Sequence, residues 1–117
     1  MSSISAENEF VSYVVELLQP VGAVRARRMF GGHGLFLDGL MFGLIADGTL
    51  YFKADRQARE NYSQKGLEPF TYHRQGKLMK LSYYQAPAEA LEEGEELSAW
   101  AGDAYEVARR AASKKRS

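Results

Sequence analysis

Two Asp-Gly pairs, Asp38-Gly39 and Asp47-Gly48, constrain this chain more than any other feature of it. A tight two-residue reversal needs positive φ at both central positions, which glycine takes freely and aspartate tolerates. The pairs separate three apolar runs, Leu35–Leu37, Leu40–Ala46 and Thr49–Ala54. Residues 35–54 are therefore predicted to form an antiparallel three-stranded meander. Alternation puts Leu50, Phe52 and Ala54 on one side of its last strand and Thr49, Tyr51 and Lys53 on the other.

The flanking sequence changes period. Ser5 is placed to cap a helix whose stripe is Phe10, Val11, Val14, Leu17 and Leu18, with Glu7 and Glu9 near its positive end. Pro20 and Gly22 end it. After the meander, Asp55 is placed to cap a second helix carrying Ala58 and Tyr62 on one face and closed by Gly66. Glu68–His73 and Lys77–Tyr84 read as a strand pair turning at Gln75-Gly76. A last helix from about Glu95 buries Leu97, Trp100, Ala101, Ala104, Ala108 and Ala111. Gly102 costs this helix about 1 kcal/mol relative to alanine, which suggests close packing on a neighbour. The order is α-β-β-β-α-β-β-α, an α+β fold of two layers with the helices on one face of an antiparallel sheet. One domain is expected over residues 1–117, with a basic tail from about position 109.

Composition narrows the chemistry. No cysteine is present among 117 residues, which removes disulfides, thiolate metal sites and cysteine nucleophiles. Two histidines, His33 and His73, are too few for a histidine-rich metal centre. No apolar run reaches the ~20 residues of a membrane span, and no basic segment followed by an apolar one opens the chain, so a cytoplasmic protein without membrane contact is expected. Fifteen basic and fifteen acidic residues cancel, but not locally. Arg25–Lys80 holds ten basic and five acidic residues, Glu89–Glu106 seven acidic and no basic ones, and five cations follow from Arg109.

The carboxylates have structural roles: Asp38 and Asp47 make turns, Asp55 a cap, and Glu92, Glu93, Glu95 and Glu96 a solvated run. No acid/base pair is left for catalysis, no Gly-x-Ser-x-Gly elbow occurs, and no cofactor or metal is expected. Two constellations remain. Arg25-Ala26-Arg27-Arg28-Met29-Phe30-Gly31-Gly32-His33-Gly34 is either a glycine-rich bulge or hinge with wet arginines, or a nest of N–H groups for an anion, with His33 as a base. Neither the phosphate-loop nor the dinucleotide fingerprint is completed there. Tyr51, Tyr72, Tyr83 and Tyr84 fall on strands among Lys53, Arg74 and Lys80, which reads either as rings shared between core and sheet surface or as a platform for single-stranded nucleic acid.

Several blocks carry a resemblance. Residues 28–39, beginning Arg28-Met29-Phe30-Gly31-Gly32 and ending Asp38-Gly39, and residues 41–53, Met41-Phe42-Gly43-Leu44-Ile45-Ala46-Asp47-Gly48-Thr49-Leu50-Tyr51-Phe52-Lys53, occur in order. Pro69-Phe70-Thr71-Tyr72, Leu81-Ser82-Tyr83-Tyr84-Gln85-Ala86-Pro87 and Trp100-Ala101 follow them. The sequence from about Val24 to Ala112 resembles the N-terminal domain of the TfoX/Sxy family of competence regulators. That resemblance implies a secretion-chaperone-like α+β fold, and regulation of transcription and competence rather than catalysis. It implies a protein partner such as transcription machinery or a cyclic-AMP receptor protein-like regulator, and it brings no catalytic or metal residue with it. The N-terminal domain is expected here by itself, without the family's helical C-terminal domain.

The functional expectation is thus a small non-enzymatic regulator working through protein–protein contacts, including a homodimer. Its interaction surface is placed at Arg27, Arg28, Met29, Phe30, Gly31, Gly32 and Gly34. The alternatives are a nucleic-acid-binding module and a small-molecule or anion-binding enzyme using the glycine-rich segment.

Overall fold

Positive φ at Asp38 and Gly39 (52° and 80°), Asp47 and Gly48 (51° and 72°), and Gln75 and Gly76 (53° and 80°) turns the chain three times by the same device. A computed structural model describes residues 6–29 and 31–116; Ser5 and Phe30 lie outside the described residues. Helix α1 (Ala6–Leu17) leads into a 3-10 turn at Gln19–Val21 containing Pro20. Strands β1 (Arg25–Met29), β2 (Gly32–Leu37), β3 (Leu40–Ala46) and β4 (Thr49–Lys53) then run up and down. Helix α2 (Arg59–Ser63), strands β5 (Pro69–Arg74) and β6 (Lys77–Gln85), a 3-10 turn at Ala88–Glu92 and helix α3 (Gly94–Arg116) complete the order. The sheet has six antiparallel strands in the order β1-β2-β3-β4-β6-β5.

The architecture is the α+β arrangement expected, with one strand more. Arg25–Met29 is strand β1, paired with β2 from Arg25 opposite Phe36 to Met29 opposite Gly32, so the order is α-β-β-β-β-α-β-β-α. Its sequence, Arg-Ala-Arg-Arg-Met, has no strand propensity of its own. It lies at the edge of the sheet, where charged side chains are solvated and discourage pairing with another edge. The glycine-rich segment is accordingly a turn at Gly31 (φ 76°) and the start of β2, not a bulge or hinge.

The helices share one side of the sheet. Val11, Val14 and Leu18 pack with Leu35, Leu37, Phe42, Ile45, Leu50, Phe52, Ala54, Tyr62, Leu97, Ala101, Ala104 and Ala108 in one core. Each large apolar side chain buried there stabilises the fold by about 1.5–3 kcal/mol. The register slips between Leu35 and Phe36, which face Gly43 and Met41, so Phe42 is an extra residue with no partner on β2. That bulge turns Phe42 into the core, stacked 6.4 Å from Phe52. Burial keeps the Tyr62 phenol protonated far above its ordinary range, and its ring lies 4.9 Å from that of Trp100.

Asp55 does cap, one turn early. Its Oδ1 accepts the Ala58 N–H at 3.0 Å and its carboxylate receives Arg110 of α3 at 2.9 Å. Burial disfavours the charged carboxylate, but these two contacts outweigh it and hold the group below its ordinary range. Gly66 (φ 74°) closes the α2 turn as expected, with the Leu67 N–H returning to the Tyr62 carbonyl. Gly102 corrects an expectation: nothing lies within 4 Å of where a Cβ would stand, so close packing does not explain it. Among the described residues no helix is long and apolar enough to cross a membrane.

Candidate functional site

Pairing across the strands sorts the residues of the sheet by side. Partners on neighbouring antiparallel strands face the same way. Ile45 faces Leu50 and looks into the helices; Leu44 faces Tyr51 and looks away from them. One row on the open side therefore runs Arg27, Gly34, Leu44, Tyr51, Gln85, and a second runs Arg25, Phe36, Met41. Lys53 and Tyr83 pair beside it.

This open side has an apolar cluster of its own. Leu44 is 1% exposed and Tyr83 7%, yet neither belongs to the helix-side core. They are covered by their neighbours on the strands. A Cβ at Gly34 would stand 2.6 Å from the Met29 sulfur, 3.0 Å from Phe36 Cε1 and 3.1 Å from the Met41 sulfur. Gly34 is thus a floor over which three apolar side chains close. Tyr83 reaches across β4, its hydroxyl donating to the Met41 carbonyl at 3.4 Å, and burial pushes its phenol up to about 12. Phe70 meets Tyr51 edge-on at 5.0 Å and stacks on Tyr72 at 6.1 Å.

Cations rim the cluster. The Arg27 guanidinium lies 5.3 Å from the centre of the Phe36 ring, and the Lys53 ammonium 5.1 Å from that of Tyr83. Among the described residues, neither Arg25 nor Arg27 is in an ion pair. The strand positions of this side carry no Asp or Glu; Asp38 and Asp47 stand in the turns at its margins.

The surface expected at residues 27–34 is divided by this geometry. Arg27, Met29, Gly32 and Gly34 fall on the open side, whereas Arg28 pairs with His33 on the helix side. Gly31 is in the turn, and Phe30 lies outside the described residues. His33 is mostly buried, with its Nδ1 3.3 Å from the Glu7 carboxylate of α1. Its contact ties β2 to α1. Strand β2 lies between β1 and β3, so its main-chain groups enter the two ladders and do not form a nest for an anion. The four strand tyrosines separate as alternation requires: Tyr51, Tyr72 and Tyr83 belong to the open side, and Tyr84 packs on Tyr62 at 5.6 Å.

Sequence reasoning missed Phe36, Met41 and Leu44 as residues of the open side. The available signal was the run Leu40–Ala46, seven residues without a charge, since a strand with one wet face alternates and a strand covered on both faces does not. Among the described residues, no group of three or more His, Asp or Glu side chains is arranged to hold a metal ion.

The sequence model of the TfoX N-terminal domain matches residues 16–108, which include all of the cluster. The chain is similar to the DNA transformation protein TfoX1 of Aliivibrio fischeri (strain ATCC 700601 / ES114), at 31% identity over 78 residues, covering 67% of this chain and 35% of that protein. It is similar also to Protein Sxy of Escherichia coli (strain K12), at 29% identity over 85 residues, covering 73% of this chain and 40% of that protein. The chain spans well under half the length of these curated relatives.

Proposed function

This chain belongs to the TfoX N-terminal domain family, and from that premise we propose that it is a small non-enzymatic regulator linked to DNA transformation. It works in the cytoplasm through contact with another protein, made by the open side of its sheet. The observation that carries this reading is the second apolar cluster. The half-buried Met29, Phe36 and Met41 share with the buried Leu44 and Tyr83 the side of the sheet that no described helix covers. Apolar side chains rimmed by arginine and lysine are the composition of a recognition surface, with the apolar part supplying affinity and the rim orientation.

The division of Arg27 from Arg28 gives the test. Wild-type, Arg27→Glu and Arg28→Glu proteins serve as baits in the native cell, with captured proteins read by mass spectrometry. The expected result is a protein held by the wild type and by Arg28→Glu and lost with Arg27→Glu. The same capture by all three baits, or recovery of nucleic acid alone, overturns the reading.

A further inference from the structure

We propose that the open side of the sheet takes an acidic, apolar-bearing segment of its partner, with the partner's apolar side chains over Gly34 and its carboxylates on Arg25, Arg27 and Lys53. This rests on the reading that the protein works by protein contact, and it adds the chemistry of what is bound.

The floor supplies the first argument. Met29 and Met41 place both their sulfurs within 3.1 Å of the Cβ position above Gly34. Unbranched thioether side chains re-pack at little cost, so a patch built on them adapts to aliphatic and aromatic side chains alike. Phe36, half-buried beside them, gives the patch a rigid wall.

Charge supplies the second. Arg25 and Arg27 follow one another on the same side of an edge strand, and Lys53 stands across the cluster from them. No carboxylate occupies a strand position between them, while the acidic run Glu89–Glu96 lies in the 3-10 turn and the start of α3. A partner that brings carboxylates to this rim gains complementarity, and one that brings cations meets like charge.

The rings decide between a peptide and a nucleic acid. Stacking platforms for bases need open aromatic faces. Here Arg27 covers Phe36 and Lys53 covers Tyr83, at 5.3 and 5.1 Å. Tyr51 is turned 74° to Phe70, edge against face. A base stacking on Phe36 or Tyr83 would have to displace those cations, whereas carboxylates engage them where they stand.

Selection of random peptides displayed on phage against the whole chain tests this. The expected peptides combine Asp or Glu with Leu, Ile, Phe, Trp or Met. Their synthetic forms should bind Arg25→Glu/Arg27→Glu about tenfold or more weakly, bind Arg28→Glu as they bind the wild type, and weaken with added salt. Melting curves of both variants confirm that folded proteins are being compared. Selection of basic or uncharged peptides, or equal binding by Arg25→Glu/Arg27→Glu, overturns the acidic-segment proposal and leaves the protein-contact reading standing. Binding of oligothymidylate with no peptide selected overturns both.

Discussion

Arg27, on the edge strand β1, lies over Phe36 of β2 with its guanidinium carbon 5.3 Å from the ring centre. The contact is solvent-facing and sits outside the helix-side core, so it bears on recognition much more than on folding. Arg27→Glu should change unfolding free energy by no more than about 0.5–1 kcal/mol, as expected for a surface position with one cation–π contact. Urea unfolding of the variant beside the wild type checks this. A larger loss would mean that the arginine holds β1 in place.

Gly32 and Gly34 sit two apart on the same side of β2 and should respond differently to alanine. At Gly34 the nearest atoms to a methyl group belong to the side chains of Met29, Phe36 and Met41, and the two thioether chains can move aside. At Gly32 it runs into the main-chain carbonyl of Ile45 on β3, which cannot. Gly34→Ala should therefore keep the fold within about 1 kcal/mol, and Gly32→Ala should cost about 1–3 kcal/mol or more as β2 is pushed from β3. Thermal melts of the two variants make the comparison.

Gly102 is the opposite case. It lies inside α3 with open space where its Cβ would be. Gly102→Ala should raise stability by about 0.5–1 kcal/mol, because alanine loses less backbone freedom on entering a helix. A fall in melting temperature would show that the position needs glycine for a contact made outside this chain.

Tyr83 adds a dependence on pH. Burial pushes its phenol up to about 12, from 10.0. With the folded value raised, the stabilisation from keeping the phenol neutral is fully present below pH 10 and is lost as pH rises through 12. Tyr83→Phe removes that dependence. The stability of the wild type relative to Tyr83→Phe should be constant up to pH 10 and fall by roughly 2 kcal/mol between pH 10 and 12, followed by denaturant titration at each pH.

How far the sequence is legible varies with the physics of each segment. The two Asp-Gly reversals and Gln75-Gly76 are local, since positive φ is demanded of the turn residues themselves, and all three stand where they were read. Tyr62 and, in α3, Leu97, Ala101, Ala104 and Ala108 follow from helical spacing in the same way, whereas Trp100 and Ala111 at the margins of that stripe are only partly buried. β1 was not legible because nothing in Arg-Ala-Arg-Arg-Met favours a strand; it is one because β2 offers an open edge. The separation of Arg27 from Arg28 depends on that strand, and so was hidden with it. The open-side cluster was obscured by the bulge at Phe42, which breaks the period through β3 and gives four successive buried residues from Phe42 to Ile45. Only pairing across strands sorts Leu44 from Ile45.

The most direct measurement uses the methionines, of which the sequence has four. Methyl groups of Met1, Met29, Met41 and Met79 labelled with carbon-13 give separate NMR signals, assigned by substituting each in turn. On addition of an acidic peptide recovered by selection, the account predicts that the Met29 and Met41 signals shift. Met29 and Met41 signals that stay in place while the peptide binds would contradict it.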